Sequence, residues 1–147
     1  PDTKWVYYKD RLIHIEPSNE KDTLAVLWKL EAIGAIPLYE FKTLEHTAQE
    51  GIDILADVQW VAIESKKVFS PVEVELFLEN FYEHDHDPSQ TGTMICWDIQ
   101  NERKLLKQEV LTKTELPGRY KLKFPGDIIM DVLVLSKIND INVLKRA

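Results

Sequence analysis

Two carboxylates lie inside one apolar strand-like segment, and this feature constrains the fold more than any other. The segment is Pro71-Val-Glu-Val-Glu-Leu-Phe-Leu78. Because side chains alternate between the faces of a strand, Glu73 and Glu75 share one face, and the valines and leucines that separate them share the other, which we expect to lie against a core. A charge is costly to bury unless a partner or a metal compensates it. We therefore expect this strand to carry the functional site.

The composition indicates one domain, residues 1–147, because 147 residues with 44% hydrophobic content can bury a real core. A net charge of −7 argues against a broad nucleic-acid-binding face but leaves a local basic patch open. Cys96 stands alone within an apolar run, which indicates either a reducing compartment, for which we expect the cytoplasm, or simply a small buried side chain. No apolar run approaches 18 residues, so we expect no membrane segment. The start at Pro1, without an initiator Met, suggests a fragment of a longer protein.

The periodicity predicts an α+β fold, with a mixed central β-sheet and one principal N-terminal helix. The helix has an acidic first turn and is followed by Gly34, which are helix start and stop signals. Turn residues separate the other segments, which are rich in β-branched, aromatic or leucine residues. The predicted helix spans 18–33, and the predicted strands span 5–8, 11–15, 38–44, 52–63 (as one strand or two short ones), 72–78, 93–99, 119–124 and 128–135. The segment 101–108 is left unassigned, because it is short and highly charged.

Two further acids are placed to meet Glu73 and Glu75. Glu20 stands four residues before Leu24, so it is predicted on the sheet-facing side of the helix. Asp53 shares one predicted strand face with Leu55 and Asp57, so an acid again lies beside apolar neighbours. If that strand pairs with the Glu73 strand, the three strand acids converge at one sheet end, with Glu20 approaching from the helix. Such oxygen clusters bind Mg²⁺ or Mn²⁺.

These residues resemble the PD-(D/E)xK superfamily of restriction-endonuclease-like nucleases. Asn19-Glu20, Gly51-Ile-Asp53 and Val72-Glu-Val-Glu75 match its helix Glu, its strand Asp and the start of its Glu-x-Lys motif, in that order. The stretch 73–98 is also similar to nuclease-like domains that follow GHKL-type ATPase modules in bacterial proteins. The resemblance implies a hydrolase of DNA phosphodiesters, with Mg²⁺ or Mn²⁺ held by Glu20, Asp53 and Glu73. It also implies a larger ATPase-containing or defence-related parent chain, and a homo-oligomer is possible.

The chain departs from the superfamily at Glu75, which stands where active members carry lysine. In the resemblance that lysine positions or activates the attacking water. A competing register is Glu64-Ser-Lys66, a literal Glu-x-Lys that follows Asp53 by eleven residues. The Glu73 register is preferred, because the residues that follow it fit the family resemblance better. Lys66 stays a candidate catalytic residue, together with Glu20, Asp53, Glu73 and Glu75. The departure leaves open an inactive nuclease-like fold that serves as a nucleic-acid-binding, protein-interaction or dimerisation module.

Simpler interpretations compete with each site residue. Glu20 would also favour the positive end of the helix dipole, and Asp53 would also cap a turn. Glu73 and Glu75 would also suit a solvated sheet face that pairs with lysines across the strands.

The segment His84-Asp-His-Asp87 is open to three interpretations: a solvated loop, a phosphate contact through His84 or His86, or a zinc site. The alternating basic residues Arg119, Lys121 and Lys123 share one strand face. They are interpreted mainly as the solvated side of that strand and alternatively as a phosphate-contacting stripe.

Overall fold

The computed structural model describes residues 2–47, 53–62, 68–84 and 87–145 of the chain. These residues form a mixed α+β fold that is rich in strands. The helices are α1 (Glu20–Ala32), α2 (Asn80–Glu83) and α3 (Glu102–Lys107). The strands are β1 (Lys4–Tyr8), β2 (Arg11–Ile15), β3 (Glu40–His46), β4 (Ile54–Gln59), β5 (Val68–Phe77), β6 (Thr93–Asp98), β7 (Leu111–Lys113), β8 (Arg119–Phe124), β9 (Ile128–Val134) and β10 (Ile141–Lys145).

Within the described residues, the strands form two sheets. The larger has the order β3-β4-β5-β6-β9-β8-β7, and the smaller has the order β10-β1-β2. In the larger sheet, β6 is parallel to both β5 and β9, whereas the other neighbours are antiparallel. Parallel strands at the centre of a sheet are normally covered on both faces. The β5-β6-β9 centre is therefore where this fold can bury side chains on both faces.

Local signals explain α1. Asn19 caps the helix, since its side-chain oxygen accepts a 2.8 Å hydrogen bond from the Asp22 N–H. The helix buries one apolar side, which includes Leu27 and Leu30, and Gly34 follows with a φ of 71°. That left-handed conformation suits glycine and ends the helix. The first residue of α1, Glu20, consequently occupies a defined place at the helix N-terminus.

Two apolar cores lie on opposite faces of the larger sheet. One core joins α1 and the smaller sheet to the β5 face that carries Val72 and Val74. The other surrounds Met94 and Cys96 of β6 and includes Phe81 of α2. Strand alternation turns Glu73 and Glu75 away from the first core, toward the face that α2 and α3 cover. Both glutamates are buried as a result.

The predicted α+β class is confirmed, as are the early helix and the apolar face of the Glu73 strand. Cys96 is buried as predicted, and Tyr120, Leu122 and Phe124 are buried on the face of β8 opposite to the basic residues. The solvated-face interpretation of Glu73 and Glu75 is wrong, because both side chains are buried on the sheet face that carries the second core. Four elements were not predicted: α2, α3, β7 and β10. Among the described residues, no helix is both long and apolar enough to span a membrane.

Replacing Leu27 by Ala tests the packing of α1. Leu27 is fully buried in the first core, so Leu27→Ala is expected to lower the free energy of unfolding by about 2–5 kcal/mol. Leu116→Ala is the matched control, because Leu116 is 46% exposed, and it should change that free energy by less than about 0.5 kcal/mol. Urea denaturation followed by circular dichroism measures both. Equal effects would contradict the packing described here.

Candidate active site

The candidate site lies beside the start of β4, where β5 continues beyond its pairing with that strand. The paired region runs from Val58 opposite Val68 to Ile54 opposite Val72, and β5 then extends to Phe77 alongside β6. Beyond this paired region, Asp53 supplies the hydrogen bonds to β5. Its backbone N–H donates to the Val72 carbonyl at 3.2 Å, and its carboxylate Oδ2 accepts from the Val74 N–H at 2.8 Å. The Asp53 side chain thus replaces a strand neighbour for β5 and lies beside the acidic residues of that strand.

Glu73 and Glu75 form the buried floor of the site, being 3% and 0% exposed. Burial in a poorly polarisable environment is the main cause that raises the pKa of Glu73 from 4.5 to about 9, and the nearby Asp53 and Glu75 carboxylates add to it. The pKa of Glu75 is raised as well, first by burial and then by its hydrogen bond and charge interaction with Glu20. These carboxyl groups therefore favour a proton, or another positive charge, in the folded protein.

Glu20 and His84 form the rim. His84 Nδ1 lies 3.2 Å from both carboxylate oxygens of Glu75 and 3.6 Å from Glu20 Oε1. The side chains of Glu20 and His84 are each a little under half exposed, while that of Glu75 is buried. One ligand-type atom from each of these three residues lies within 4.8 Å of the others. Buried and solvent-accessible ligand atoms therefore meet at one point.

Helix α2 holds His84 at this rim. Its preceding residue, Glu79, accepts hydrogen bonds from the N–H groups of Gln100 and Asn101 at 3.0 and 2.7 Å. Asn80 Oδ1 accepts from the Phe77 N–H at 2.9 Å, and Phe81 is buried in the second core. A four-residue helix has little stability of its own, so these contacts fix it.

An open cavity of about 460 Å³ adjoins the rim. Its volume is sufficient for a small ligand or part of a polymer. Its polar groups include two asparagine amides, a lysine and a histidine. The lining residues are Asn19, Glu20, Lys21, Leu76, Asn80 and His84. Because Glu20 and His84 are partly exposed and line the cavity, a bound molecule would contact the rim of the site.

The structure brings together four of the five predicted site residues: Glu20, Asp53, Glu73 and Glu75. Lys66 lies outside the described residues, as does Glu64 of the competing register. The strand ends that flank this segment, Gln59 and Val68, lie at the end of the β4–β5 pair opposite to Asp53.

The interpretations of the other polar segments can now be compared with the structure. His84 ends α2 and contacts Glu75, whereas the sequence offered a loop, a phosphate contact or zinc. His86 lies outside the described residues. Lys21 and Asn80 were not singled out, because nothing in an exposed lysine or a four-residue helix signals a cavity. In the basic stripe, Lys121 pairs with Asp131 at 2.9 Å, and Arg119 stacks on the Trp60 ring.

No protein-family model matches the chain, and neither a curated protein nor a solved structure shows significant similarity to it.

The raised pKa values predict how stability depends on pH in a metal-free buffer. The folded state holds protons on Glu73 and Glu75 that the unfolded chain releases above about pH 4.5. The contribution of these two groups to the free energy of unfolding should therefore be fully present below about pH 4.5 and fall as the pH rises toward 9, with a slope of up to about 1.4 kcal/mol per pH unit for each group. Denaturation in urea with EDTA at several pH values measures this dependence.

Glu73→Gln should flatten that dependence, because an amide keeps the shape of a protonated carboxyl and does not titrate. Glu115→Gln is the control, since Glu115 is exposed in the β7–β8 connection, and it should leave the slope unchanged. A wild-type stability that rises between pH 5 and pH 9 would contradict the buried-acid description.

Proposed function

We propose that this site binds a divalent cation and supports the hydrolysis of phosphodiester bonds, with DNA as the substrate. The observation that carries the proposal is the convergence of two buried glutamates with Glu20 and Asp53 beside an open cavity. Carboxylates that are buried and close to one another repel each other, so they need a compensating positive charge when they are ionised. A divalent cation is the compensation that also serves chemistry on a phosphate.

The donor set fits Mg²⁺ or Mn²⁺. Carboxylate oxygens are the ligands that these hard cations prefer. Glu20, Asp53 and Glu73 would hold the ion, with Glu75 as a further oxygen donor in the place of the lysine that the PD-(D/E)xK resemblance leads one to expect. When bound, the ion would offset the charge of a phosphate and activate water for attack.

The rest of the site suits a charged substrate. Lys21, Asn19 and Asn80 line the cavity and offer hydrogen-bond donors that a phosphate can accept. Leu76 supplies an apolar contact in the same cavity. Glu73 and Glu75 lie in the floor, where burial raises their pKa values and favours the protonated form while no cation is bound.

A second candidate function rests on the same raised pKa values. Protonated Glu73 and Glu75 are neutral and can stay buried without any ion. With an acid in place of the expected lysine, such a fold would serve as an inactive nuclease-like module that binds nucleic acid or another protein. Metal-dependent stabilisation separates the two functions, because only a cation site gains stability from added cation.

The proposed activity is tested on supercoiled plasmid and on labelled single- and double-stranded oligonucleotides with Mg²⁺ or Mn²⁺. We expect cleavage by the wild type, a loss of at least 100-fold in Glu73→Gln and Glu20→Gln, and no change in Glu115→Gln. Melting temperatures with and without each cation accompany the assay. A wild type that neither cleaves nor gains melting temperature with either ion would refute the proposal and favour the inactive module.

A further inference from the structure

We propose that His84 supplies a nitrogen ligand to this site and thereby shifts its preference toward first-row transition cations such as Mn²⁺ and Co²⁺ and away from Mg²⁺. The inference rests on the proposed cation site and specifies which cations that site selects. It concerns the rim, where the His84 imidazole lies close to the carboxylates of Glu20 and Glu75.

The positions of the ligand atoms support direct coordination. His84 Nδ1 lies 3.2 Å from the Glu75 carboxylate oxygens and 3.6 Å from Glu20 Oε1. Atoms that bind one first-row cation at about 2.0–2.2 Å lie roughly 3–3.5 Å from one another. The two distances from His84 are therefore close to those of a ligand set, and the Glu20 and Glu75 oxygens lie within 4.8 Å of each other, so a small adjustment would bring all three onto one ion.

The backbone supports the same assignment. His84 is the residue that ends α2, and its N–H donates to the Asn80 carbonyl at 3.0 Å. The buried ring of Phe81 and the two hydrogen bonds accepted by Glu79 fix the helix on the second core. The imidazole is consequently held at the rim by the fold, with one ring nitrogen beside Glu75.

Ligand chemistry gives the direction of the preference. Mg²⁺ favours oxygen ligands and gives up its water shell reluctantly, whereas imidazole suits transition cations. Among divalent ions, affinity at a given site with nitrogen and oxygen donors rises from Mn²⁺ to Co²⁺. A histidine beside two glutamates should thus strengthen Co²⁺ and Mn²⁺ binding more than Mg²⁺ binding.

The test compares the full chain with His84→Asn, which replaces the imidazole nitrogen by an amide oxygen donor of similar reach. His14→Asn is the matched control, because His14 lies on β2 and its Nδ1 is 2.7 Å from its neighbour's carbonyl. Dissociation constants for Mg²⁺, Mn²⁺ and Co²⁺ are measured by calorimetry. We expect His84→Asn to lower the preference for Co²⁺ over Mg²⁺ at least tenfold, and His14→Asn to leave it unchanged.

A spectroscopic measurement on the wild type reports ligation directly. Electron spin echo spectroscopy of bound Mn²⁺ should detect the nitrogen of a coordinated imidazole, and this signal should vanish in His84→Asn while persisting in His14→Asn. Cation binding with an unchanged selectivity ratio and no nitrogen signal would overturn this inference and leave the acid site standing. A wild type that binds none of the three ions would overturn both the inference and the proposed function.

Discussion

The site depends on the burial of two carboxyl groups on a strand that apolar cores flank on both sides. Strand β5 turns Val72 and Val74 toward one core and Glu73 and Glu75 toward the other. Two glutamates side by side in a poorly polarisable environment cannot both stay charged without compensation. Bound protons neutralise the two carboxylates in the cation-free protein, and a bound cation would compensate their charge instead. This constraint makes one end of the sheet a place where positive charge is favoured.

The histidine at the rim depends on contacts far from its own helix turn. Helix α2 has four residues, too few to be stable by backbone hydrogen bonds alone. Its position follows from the burial of Phe81 and from the Glu79 carboxylate, which joins the start of α2 to the segment before α3. The distance between His84 and Glu75 is therefore a property of the second core as much as of the site.

Hydrophobic periodicity was sufficient to predict the elements that are long enough to show a regular apolar pattern. The α1 helix, the β8–β9 pair and the apolar face of β5 all follow from patterns of several residues, because burial of one face imposes its period on the sequence. The convergence of the acids required one further assumption, that β4 pairs with β5, and this pairing is present. The PD-(D/E)xK resemblance and the roles it implies stay predictions.

What the sequence did not reveal depends on tertiary contacts. Three-residue β7 and four-residue α2 are too short to carry a period, and β10 became a strand by pairing with β1 at the other end of the chain. Burial of Glu73 was ambiguous because alternation alone does not say what covers a polar face. His84 looked like part of a solvated loop, since no local pattern links it to a residue nine positions earlier.

Asp53 has a double role that complicates any genetic dissection of the site. Its carboxylate accepts the Val74 N–H where β4 no longer pairs with β5, so it serves as the last rung of the sheet as well as a member of the acid cluster. Truncation to alanine would remove a charge and also leave a backbone donor of the central strand unpaired. A phenotype at Asp53 alone would therefore confound loss of chemistry with local fraying of β5, whereas asparagine keeps an acceptor oxygen for the strand. The choice of amide over alanine at this position decides whether an inactive variant reports on the reaction or on the sheet.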